Sequence, residues 1–334
     1  MRTFDTIVIG SGVIGSAAAM HLALRGRTLL LERFRFMHTN GSSHGGSRIF
    51  RHAYEDVGHV RLAVAADAAW QDLEARSGER LLFRTGGLDF GAAGSLELAV
   101  VKSALEAAGR PVEVLSGQET RLRFPAFDLS DEHEALYQPD AGLLAADRTV
   151  ATLLRQAVAE GATLVDREAV LRLEPSGDAV DVITEKERYS AGRVVVAAGA
   201  WLPKLVRLEG VELTVQQQQV LYLRTGGEAR RFGVDSLPVF IDRMGSGTGA
   251  IYGLPSFELP HAIKVADHAG VPAARSGIDP DARPSGVDDA WAGRTAAAAM
   301  ALMPDLAGEI VASTTCLYTN TPDGRFIVDR MAQV

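Results

Sequence analysis

The sequence contains one cysteine and no long uninterrupted apolar run. A single thiol cannot form a disulfide within the chain, which agrees with a reducing compartment. No apolar stretch reaches the roughly 20 residues that a membrane-spanning helix needs. The first residues already read as a β-strand, so no signal peptide fits in front of them. We therefore expect a cytoplasmic protein that does not enter a membrane.

The chain also has no excess of positive charge. Its formal net charge is −8 over 334 residues, which gives no electrostatic footprint for a nucleic acid. The nearest approach to a basic cluster is the loop pair Arg48 and Arg51, which suits an anionic small molecule better. With 47% hydrophobic and 23% charged residues, the composition is that of a globular protein, and the length predicts two domains. We expect a monomer with no nucleic-acid partner and no metal site.

A βαβ unit opens the chain. A short β-branched strand, a glycine-rich turn, an alanine-rich helix expected at 16–25 and a second strand fill residues 6–31. Gly10, Gly12 and Gly15 have the spacing of a dinucleotide-binding fingerprint. The first glycine makes the tight turn, the second lets the backbone approach a pyrophosphate, and the third lets helix and strand pack closely. The whole unit therefore predicts binding of an adenine dinucleotide rather than an ordinary glycine turn.

Two further features of this unit suit a dinucleotide. The helix N-terminus at Val13 and Ile14 presents free N–H groups and a positive dipole end to phosphates. Glu32 ends the second strand, where its carboxylate can accept hydrogen bonds from a ribose hydroxyl pair and repel a 2′-phosphate. Arg33 follows it. We therefore assign these four residues to the cofactor together with the three glycines.

The loop at 38–54 indicates which dinucleotide is bound. It reads HTNGSSHGGSRIFRHAY, in which small residues let the backbone pass close to a flavin ring and Arg48 and Arg51 place positive charge beside it. A solvated Ser/Gly loop with surface arginines is the alternative. The string resembles a segment of the monomeric sarcosine oxidase and N-methyltryptophan oxidase family, H-x-x-G-S-x-H-G-x-[ST]-R-x-x-R-H-A-Y. The resemblance implies FAD as the cofactor. The loop residues that it assigns to FAD are Ser42, Ser43, His44 and Arg48.

The resemblance continues in the middle of the chain. The segment 193–201 reads RVVVAAGAW and is similar to the family's second flavin-domain strand with its glycine turn. This similarity assigns to FAD the residues Ala198, Gly199 and Trp201. Val170 falls where relatives pack near the adenine, although a strand valine is a core residue by default.

Two segments carry further predicted catalytic residues. The segment 251–257 reads IYGLPSF and resembles the family's YYGFPSF run, and 263–268 reads IKVADH and resembles its [LI]-K-x-x-x-H. The resemblance gives Lys264 the role of the lysine that helps oxygen accept electrons, and it places Tyr252 and His268 in the substrate pocket. Without these matches, a strand lysine between apolar neighbours is more often exposed to solvent.

The segment 316–323 reads CLYTNTPD and is similar to the family motif C-x-Y-[TD]-x-[ST]-x-D. A lone cysteine is usually a small buried apolar residue, but in this motif the resemblance implies an 8α-thioether between Cys316 and the flavin. Forming that bond needs the thiolate, and we expect nearby arginines to help lower the thiol pKa. Tyr318 would border the pocket. The full set of predicted catalytic residues is Arg48, Arg51, Tyr252, Lys264, His268 and Tyr318.

The resemblance implies a mixed α/β fold of the p-hydroxybenzoate-hydroxylase type. A Rossmann-like FAD domain then alternates along the chain with a substrate domain built on a mixed or antiparallel sheet. The expected FAD domain comprises 1–80, 145–212 and 305–334, and the expected substrate domain comprises 81–144 and 213–304. Relatives continue past the last motif with a further strand, a glycine-rich turn and a helix, so we expect the C-terminal part of the FAD domain to be truncated.

The implied reaction is oxidation of a secondary amine in an N-methyl or cyclic amino acid. Hydride passes from carbon to flavin, the imine hydrolyses, and oxygen is reduced to hydrogen peroxide. Arg51 would hold the substrate carboxylate, while Arg48 and Lys264 would stabilise the reduced flavin and the oxygen step. Two alternatives remain: a flavin-dependent dehydrogenase with another electron acceptor, and a flavin-binding remnant without turnover. The segments 245–249 and 258–261 depart from the family pattern near the expected pocket mouth, which leaves the substrate open.

Overall fold

The structure is a computed structural model and describes residues 1–243, 251–268 and 270–331. The segment 245–249 lies outside the described residues. The strands are β1 (Arg2–Ile9), β2 (Thr28–Leu31), β3 (Arg48–Phe50), β4 (Leu82–Phe83), β5 (Gly87–Ala92), β6 (Glu113–Ser116), β7 (His133–Gln138), β8 (Gly142–Leu144), β9 (Thr163–Val165), β10 (Val170–Ser176), β11 (Ala179–Thr184), β12 (Arg188–Val196), β13 (Thr214–Thr225), β14 (Val239–Asp242), β15 (Ile251–Leu254), β16 (Ala262–Asp267) and β17 (Leu306–Asn320). The α-helices are α1 (Val13–Ala23), α2 (Val57–Ser77), α3 (Leu96–Ala107), α4 (Gly117–Arg123), α5 (Ala146–Ala159), α6 (Leu202–Leu205) and α7 (Asp289–Leu302), and short 3-10 helices lie at Gly199–Trp201, Ala229–Phe232 and Ala273–Arg275.

The first sheet, called here the dinucleotide sheet, has the strand order β10-β11-β12-β1-β2-β9. Its strands β12, β1, β2 and β9 run parallel, and the hairpin β10–β11 extends it with antiparallel pairs. Val8 and Leu30 point to the face covered by α1 and α5, while Ile7 and Leu29 point to the opposite face. Both faces are therefore buried, which explains the continuous apolar runs of β1 and β2.

Capping residues account for the ends of several helices. The Asp56 side chain accepts hydrogen bonds from the N–H groups of Gly58 and His59 at the start of α2, and Gly78 ends that helix in the left-handed conformation. Ser116 and Glu119 form a capping box at the start of α4. These signals lie in the sequence itself, so the helix ends are determined locally.

The second sheet, called here the substrate sheet, has the strand order β17-β13-β16-β15-β14-β5-β7-β6. Neighbouring strands are antiparallel except for the parallel pair β14–β5. The helix α7 covers one of its faces, where the N–H of Asp288 bonds the Gln219 side chain and Trp291 enters the main core. A small third sheet of order β3-β8-β4 carries the segment Arg48–Phe50.

The strands and the helix predicted for the opening βαβ unit are present, but the expected start of the helix needs correction. The first helix begins at Val13 directly after the fingerprint, not at residue 16. The stretch 110–145 contains the strands β6, β7 and β8 and the helix α4. Within the predicted FAD segment 305–334, β17 pairs with β13 of the substrate sheet from Thr214 to Thr225. The domain boundaries stay predictions.

Candidate active site

The fingerprint glycines lie where β1, β12 and α1 meet. A Cβ atom at Gly10 would lie 2.4 Å from the carbonyl oxygen of Ala197, and one at Gly15 would lie 1.8 Å from that of Gly10. Gly10 also has a φ angle of 100°, which favours glycine. A Cβ atom at Gly12 would meet only the side chain of Ser43, with Oγ at 3.1 Å. Backbone packing therefore requires glycine at positions 10 and 15.

The N-terminus of α1 can receive a phosphate. Gly12 supplies no side-chain cap, and the first turn holds no acidic residue. The N–H of Val13 donates to the Ser43 hydroxyl at 3.0 Å. The Ile14 side chain is largely exposed, so it belongs to the helix surface and not to the core. The positive dipole end, with no acidic side chain in the first turn, fits the diphosphate of FAD.

Glu32 is buried at the end of β2 and is surrounded by donors. Its Oε2 accepts from the N–H and the hydroxyl of Ser11 at 2.8 and 2.9 Å, and its Oε1 accepts from the N–H of Phe34 at 2.9 Å. The Nε2 atom of His38 lies 3.4 Å from Oε1. Burial alone would raise the pKa of Glu32, but His38 and the two N–H donors together hold this pKa below its usual value. The carboxylate therefore stays ionised, as an acceptor for ribose hydroxyls must be.

Arg33 and Trp201 form a stacked group at the edge of the dinucleotide sheet. The guanidinium carbon of Arg33 lies 4.9 Å from the ring centroid of Phe34 and 5.1 Å from that of Trp201. Asp281 accepts from the Trp201 indole at 2.8 Å and lies 3.3 Å from the Arg33 guanidinium. Trp201 and Asp281 are 80 residues apart in the sequence. Asp281 was not predicted as a site residue.

The remaining residues assigned to FAD from the middle of the chain occupy two places. Ala198 and Gly199 follow β12, and the Cα atom of Ala198 lies 3.3 Å from the position of a Cβ on Gly10, so this turn adjoins the fingerprint. Val170 begins β10 and is half-buried against the apolar cluster around Ile7. The first pair therefore lies beside the fingerprint, whereas Val170 has the contacts of an ordinary core residue.

The glycine-rich loop before β3 is tied to β17 and to itself. The Ser42 hydroxyl donates to the carbonyl of Leu317, and the Arg48 guanidinium donates to the carbonyls of Ser42 and His44 at 2.6 and 3.0 Å. The buried Nε2 of His44 has no hydrogen-bond partner among the described residues. Burial, and then the charges of Arg48 and Lys264, lower the pKa of His44 to about 4. A neutral, unpaired ring nitrogen beside fixed cations fits a polar anionic cofactor such as FAD.

Of the predicted catalytic residues, Tyr252, Lys264 and Tyr318 lie on one face of the substrate sheet, together with Cys316. Side chains alternate along a strand, so residues two or four apart share a face, and so do directly paired residues. Cys316 and Tyr318 are two apart on β17, and Cys316 is paired with Gln218 on β13. Tyr222, four residues after Gln218, is paired with Lys264 on β16. The shared face is the one opposite to α7, since Gln219 of β13 points to that helix.

Tyr252, His268 and Tyr318 form an aromatic group on that face. Tyr252 is paired with Ala266, which follows Lys264 by two residues. The His268 ring centroid lies 6.4 Å from that of Tyr252 and 5.6 Å from that of Tyr318. Burial raises the pKa of both tyrosines, so both phenols stay neutral. The group offers aromatic walls and hydroxyl donors to a small substrate.

Cys316 is a buried free thiol. Burial raises its pKa, and the charges of Arg48 and Lys264 oppose the rise only in part. The expectation that nearby cations lower this pKa is therefore wrong for the net effect. The reason is that the cost of burying the Cys316 thiolate outweighs its attraction to the charges of Arg48 and Lys264.

Lys264 has an acidic partner that the sequence did not predict. Its Nζ donates to Oε1 of Glu258 at 2.8 Å and to the carbonyl of Ser47 at 3.0 Å. Lys264 is only 3% exposed, so the expectation of a solvent-facing strand lysine does not apply. Glu258 belongs to the segment 258–261 that departs from the family pattern. The signal in the sequence that could have predicted this ion pair is an acidic residue in the loop six residues before the strand lysine.

Arg51 contacts Asp89 and Tyr54. Its Nη1 lies 3.5 Å from Oδ1 of the buried Asp89, and its guanidinium carbon lies 4.6 Å from the Tyr54 ring centroid. Arg243 binds the same Asp89 oxygen more closely, at 2.7 Å. Partial desolvation, and then the charge of Arg51, lower the pKa of His268, so Arg51 lies near the aromatic group. A contact of 3.5 Å is at the limit of hydrogen bonding, which leaves Arg51 able to bind another carboxylate.

Residues 5–334 match the family model described as FAD dependent oxidoreductase. The chain belongs to this family. A monomeric sarcosine oxidase of Streptomyces avermitilis is 36% identical over 332 residues, which are 98% of this chain and 85% of the relative. An N-methyl-L-tryptophan oxidase of Yersinia pestis is 29% identical over 99% of this chain and 87% of the relative. The open form of NikD, an unusual amino acid oxidase essential for nikkomycin biosynthesis, has a TM-score of 0.83 at 25% identity and covers 96% of this chain and 82% of its own.

These comparisons confirm the predicted family, the α/β fold with its Rossmann-like FAD-binding sheet, FAD as the cofactor, and the class of FAD-dependent amine and amino-acid oxidoreductase. Roles of single residues stay predictions, as do the monomeric state and the cytoplasmic location. Within the described part of the chain, no helix is long and apolar enough to cross a bilayer. The same residues contain no group of three or more His, Cys, Asp or Glu side chains arranged to hold a metal ion.

Proposed function

We propose that the chain is an FAD-dependent oxidase of secondary amines in N-methyl or cyclic amino acids, with O₂ as electron acceptor and hydrogen peroxide as product. The observation that carries the proposal is the single sheet face that joins Lys264, Cys316 and the aromatic group, with Arg51 beside it. Two relatives are named as oxidases of sarcosine and of N-methyl-L-tryptophan, both N-methylated amino acids. This supports the substrate class for this chain.

FAD, when bound, supplies the two-electron acceptor that oxidises the amine and delivers the electrons to O₂. The N-terminus of α1 would receive its diphosphate, and Glu32 would accept hydrogen bonds from its ribose. His44 Nε2 and the Arg48 guanidinium would bind polar atoms near the ring, since both lie in the loop that contacts β17. Cys316 would hold the cofactor as a thioether, which its position beside Tyr318 on β17 supports.

The chain's own groups would bind and orient the substrate. Arg51 would pair with its carboxylate, because the long contact with Asp89 leaves guanidinium donors available. The neutral Tyr252 and Tyr318 would surround the amine and exclude water from it. His268 lies between them by ring contacts and has a lowered pKa, which favours its neutral form. Neutral aromatic walls beside the Arg51 cation suit an amino acid that must lose its proton from nitrogen before oxidation.

Lys264 would provide positive charge where O₂ becomes reduced. A fixed cation in a buried site stabilises a developing anion far more than a cation in water does. The Lys264 ammonium is buried and held in place by two acceptors, which supports this role.

The proposal is tested by comparing electron acceptors. Purified protein loaded with FAD should consume O₂ and release hydrogen peroxide in equal amounts with sarcosine, another N-methyl amino acid or a cyclic imino acid. Turnover that needs an artificial acceptor would favour the dehydrogenase alternative. Tight FAD binding without reduction by any of these amines would favour the remnant without turnover.

Replacement of Lys264 separates the two half-reactions. In Lys264→Met, we expect reoxidation of the cofactor by O₂ to slow by more than tenfold, because a charge that stabilises only the oxygen step is removed. Anaerobic reduction by substrate should change little in stopped-flow traces. Lys102→Met is the matched control, since Lys102 lies at the surface beside Glu106. A selective loss of the reductive step would assign Lys264 to substrate binding.

A further inference from the structure

We propose that Glu258 is a positioning residue that keeps Lys264 charged and holds it against the glycine-rich loop before β3. The inference rests on the proposed oxygen role of Lys264 for its consequence in turnover, but not for its structural basis. It assigns a function to the segment 258–261, which departs from the family pattern.

One carboxylate collects four donors from three parts of the chain. Its Oε1 accepts from Lys264 Nζ at 2.8 Å and from the Ser47 hydroxyl at 2.5 Å. Its Oε2 accepts from the N–H of Gly46 at 2.8 Å and from the Tyr222 hydroxyl at 2.7 Å. Each oxygen therefore accepts two bonds, which places the loop before β3, the strand β13 and the strand β16 around a single anion.

The ion pair lies in a crowded and dry place. The side chains of Lys264 and Glu258 are 4% and 12% exposed. A Cβ atom on Gly46 would lie 2.6 Å from Glu258 Cγ, so the loop is seated directly on this side chain. Asp147 binds the loop from elsewhere, through the N–H of Gly45 at 2.9 Å. The loop that carries Arg48 is therefore fixed between two carboxylates.

The charges around Lys264 make the carboxylate necessary. The titratable and charged groups that interact with Lys264 are Glu258, Asp147, Arg48, His44, Tyr222 and Cys316. Burial lowers the pKa of Lys264, Arg48 lowers it further, and Glu258 is the group that raises it most. The pKa of Glu258 is lowered to about 2, since Lys264 and its other donors outweigh its burial. Without Glu258, burial and Arg48 would both favour the neutral amine.

A direct test measures the titration of Lys264. The sequence contains four lysines, Lys102, Lys186, Lys204 and Lys264. Protein labelled with ¹³C at lysine Cε should give four resonances, and the one missing in Lys264→Met identifies Lys264. In Glu258→Gln we expect the pKa of Lys264 to fall by roughly 1–3 units, because an opposite charge in contact is lost. The other three resonances should not move.

The matched control is Glu309→Gln. Glu309 is an exposed carboxylate that pairs with Arg224 on the same sheet, so its loss should leave all four lysine titrations unchanged. An unchanged Lys264 titration in folded Glu258→Gln overturns the proposal. If that variant does not fold, Glu258→Asp replaces it, since a carboxylate shorter by one methylene cannot reach the loop and Lys264 together. An unchanged Lys264 titration there overturns the proposal as well.

Stopped-flow kinetics connect the charge to turnover. In Glu258→Gln the rate of reoxidation by O₂ should fall as pH rises, in a range where the wild-type rate stays level. Anaerobic reduction by substrate should keep its pH profile. A lowered Lys264 pKa with an unchanged oxygen step supports the role of Glu258 and shows that the oxygen role of Lys264 is wrong.

Discussion

Arg51 and Cys316 have surroundings that compete with their proposed roles. Arg51 shares Asp89 with Arg243, whose contact with this carboxylate is shorter. Cys316 is buried and keeps its proton because burial raises its pKa by more than Arg48 and Lys264 lower it. At the scale of single residues, the proposed roles therefore depend on whether the Arg51 guanidinium is free to bind a substrate carboxylate and whether the Cys316 thiol can lose its proton. Both residues give predictions with a defined direction.

Arg51→Ala should raise the KM for an amino-acid substrate by more than tenfold. A charge-assisted pair between guanidinium and carboxylate in a partly dry pocket contributes about 2–3 kcal/mol to substrate binding, and the variant lacks this contribution. The KM for an uncharged secondary amine should change little, so that substrate is the control within the same variant. Steady-state kinetics with both substrates make the comparison. An equal effect on the two substrates contradicts the role of Arg51.

Cys316→Ser should release all FAD when the protein is precipitated in acid, whereas wild-type protein should stay yellow and gain the mass of one FAD. Because the attacking species is the thiolate and burial raises the thiol pKa, attachment to FAD-free protein should accelerate as pH rises above neutrality. Intact mass against time at several pH values measures this rate. Wild-type protein that binds FAD and loses it in acid has no covalent link.

At the scale of the element, backbone packing in the βαβ unit restricts which fingerprint positions can carry a side chain. The strand β1 and the helix α1 approach so closely at Gly10 and Gly15 that the contact is between two backbones. Position 12 is different, because its neighbour is the adjustable Ser43 hydroxyl. The first and third glycines are thus constrained by folding, and Gly12 by the ligand or by Ser43.

Gly15→Ala should destabilise the protein by about 3 kcal/mol or more, since its Cβ would lie 1.8 Å from a carbonyl oxygen that cannot move freely. Gly293→Ala is the matched control. Gly293 lies within α7, a Cβ there meets nothing within 4 Å, and the change should stabilise by about 0.5–1 kcal/mol. Urea unfolding of both variants measures the difference. A similar small effect at the two positions contradicts the packing argument.

At the scale of the whole molecule, the loop that connects the dinucleotide-binding unit to β3 meets the substrate sheet at the cluster of His44, Arg48, Glu258 and Lys264. His44 belongs to the loop that follows the dinucleotide-binding unit, and Lys264 belongs to the substrate sheet. Their charges are coupled, so protonation at this junction affects the stability of the whole fold. Two groups with lowered pKa values set the pH range of this effect.

The free energy of unfolding should fall in two stages on acidification. His44 has its usual pKa near 6.5 in the unfolded chain and about 4 in the fold, so its stabilisation is present above pH 6.5 and is lost as pH falls to 4. Glu258 shifts from 4.5 to about 2, so its stabilisation is lost between those values. His44→Gln should reduce the first stage by on the order of 1–3 kcal/mol, and His52 and His268, whose pKa values are also lowered, account for the rest of it. His21→Gln, at an exposed position on α1, is the control. Urea unfolding at fixed FAD concentration, from pH 7 to pH 4, checks this, and an unchanged slope in His44→Gln contradicts it.

The sequence by itself determined the local features of this protein. The spacing of the fingerprint glycines and the acid at Glu32 was sufficient to predict a dinucleotide-binding unit, and the loop at 38–54 then indicated FAD. The loop at 38–54 indicated the family because its motif is long and specific, and the motifs around Lys264 and Cys316 extended the resemblance.

The tertiary structure decided which charges are compensated. Glu258 finds Ser47 from 211 residues away and Tyr222 from 36, and Arg243 reaches Asp89 over 154 residues. Such partners depend on strand register, which joins β13, β16 and β17 in an order that no local pattern contains. The raised pKa of Cys316 likewise comes from burial by the whole fold. Residue types and motifs are properties of the chain, whereas burial and pairing are properties of its three-dimensional packing, and these fix the electrostatics of the site.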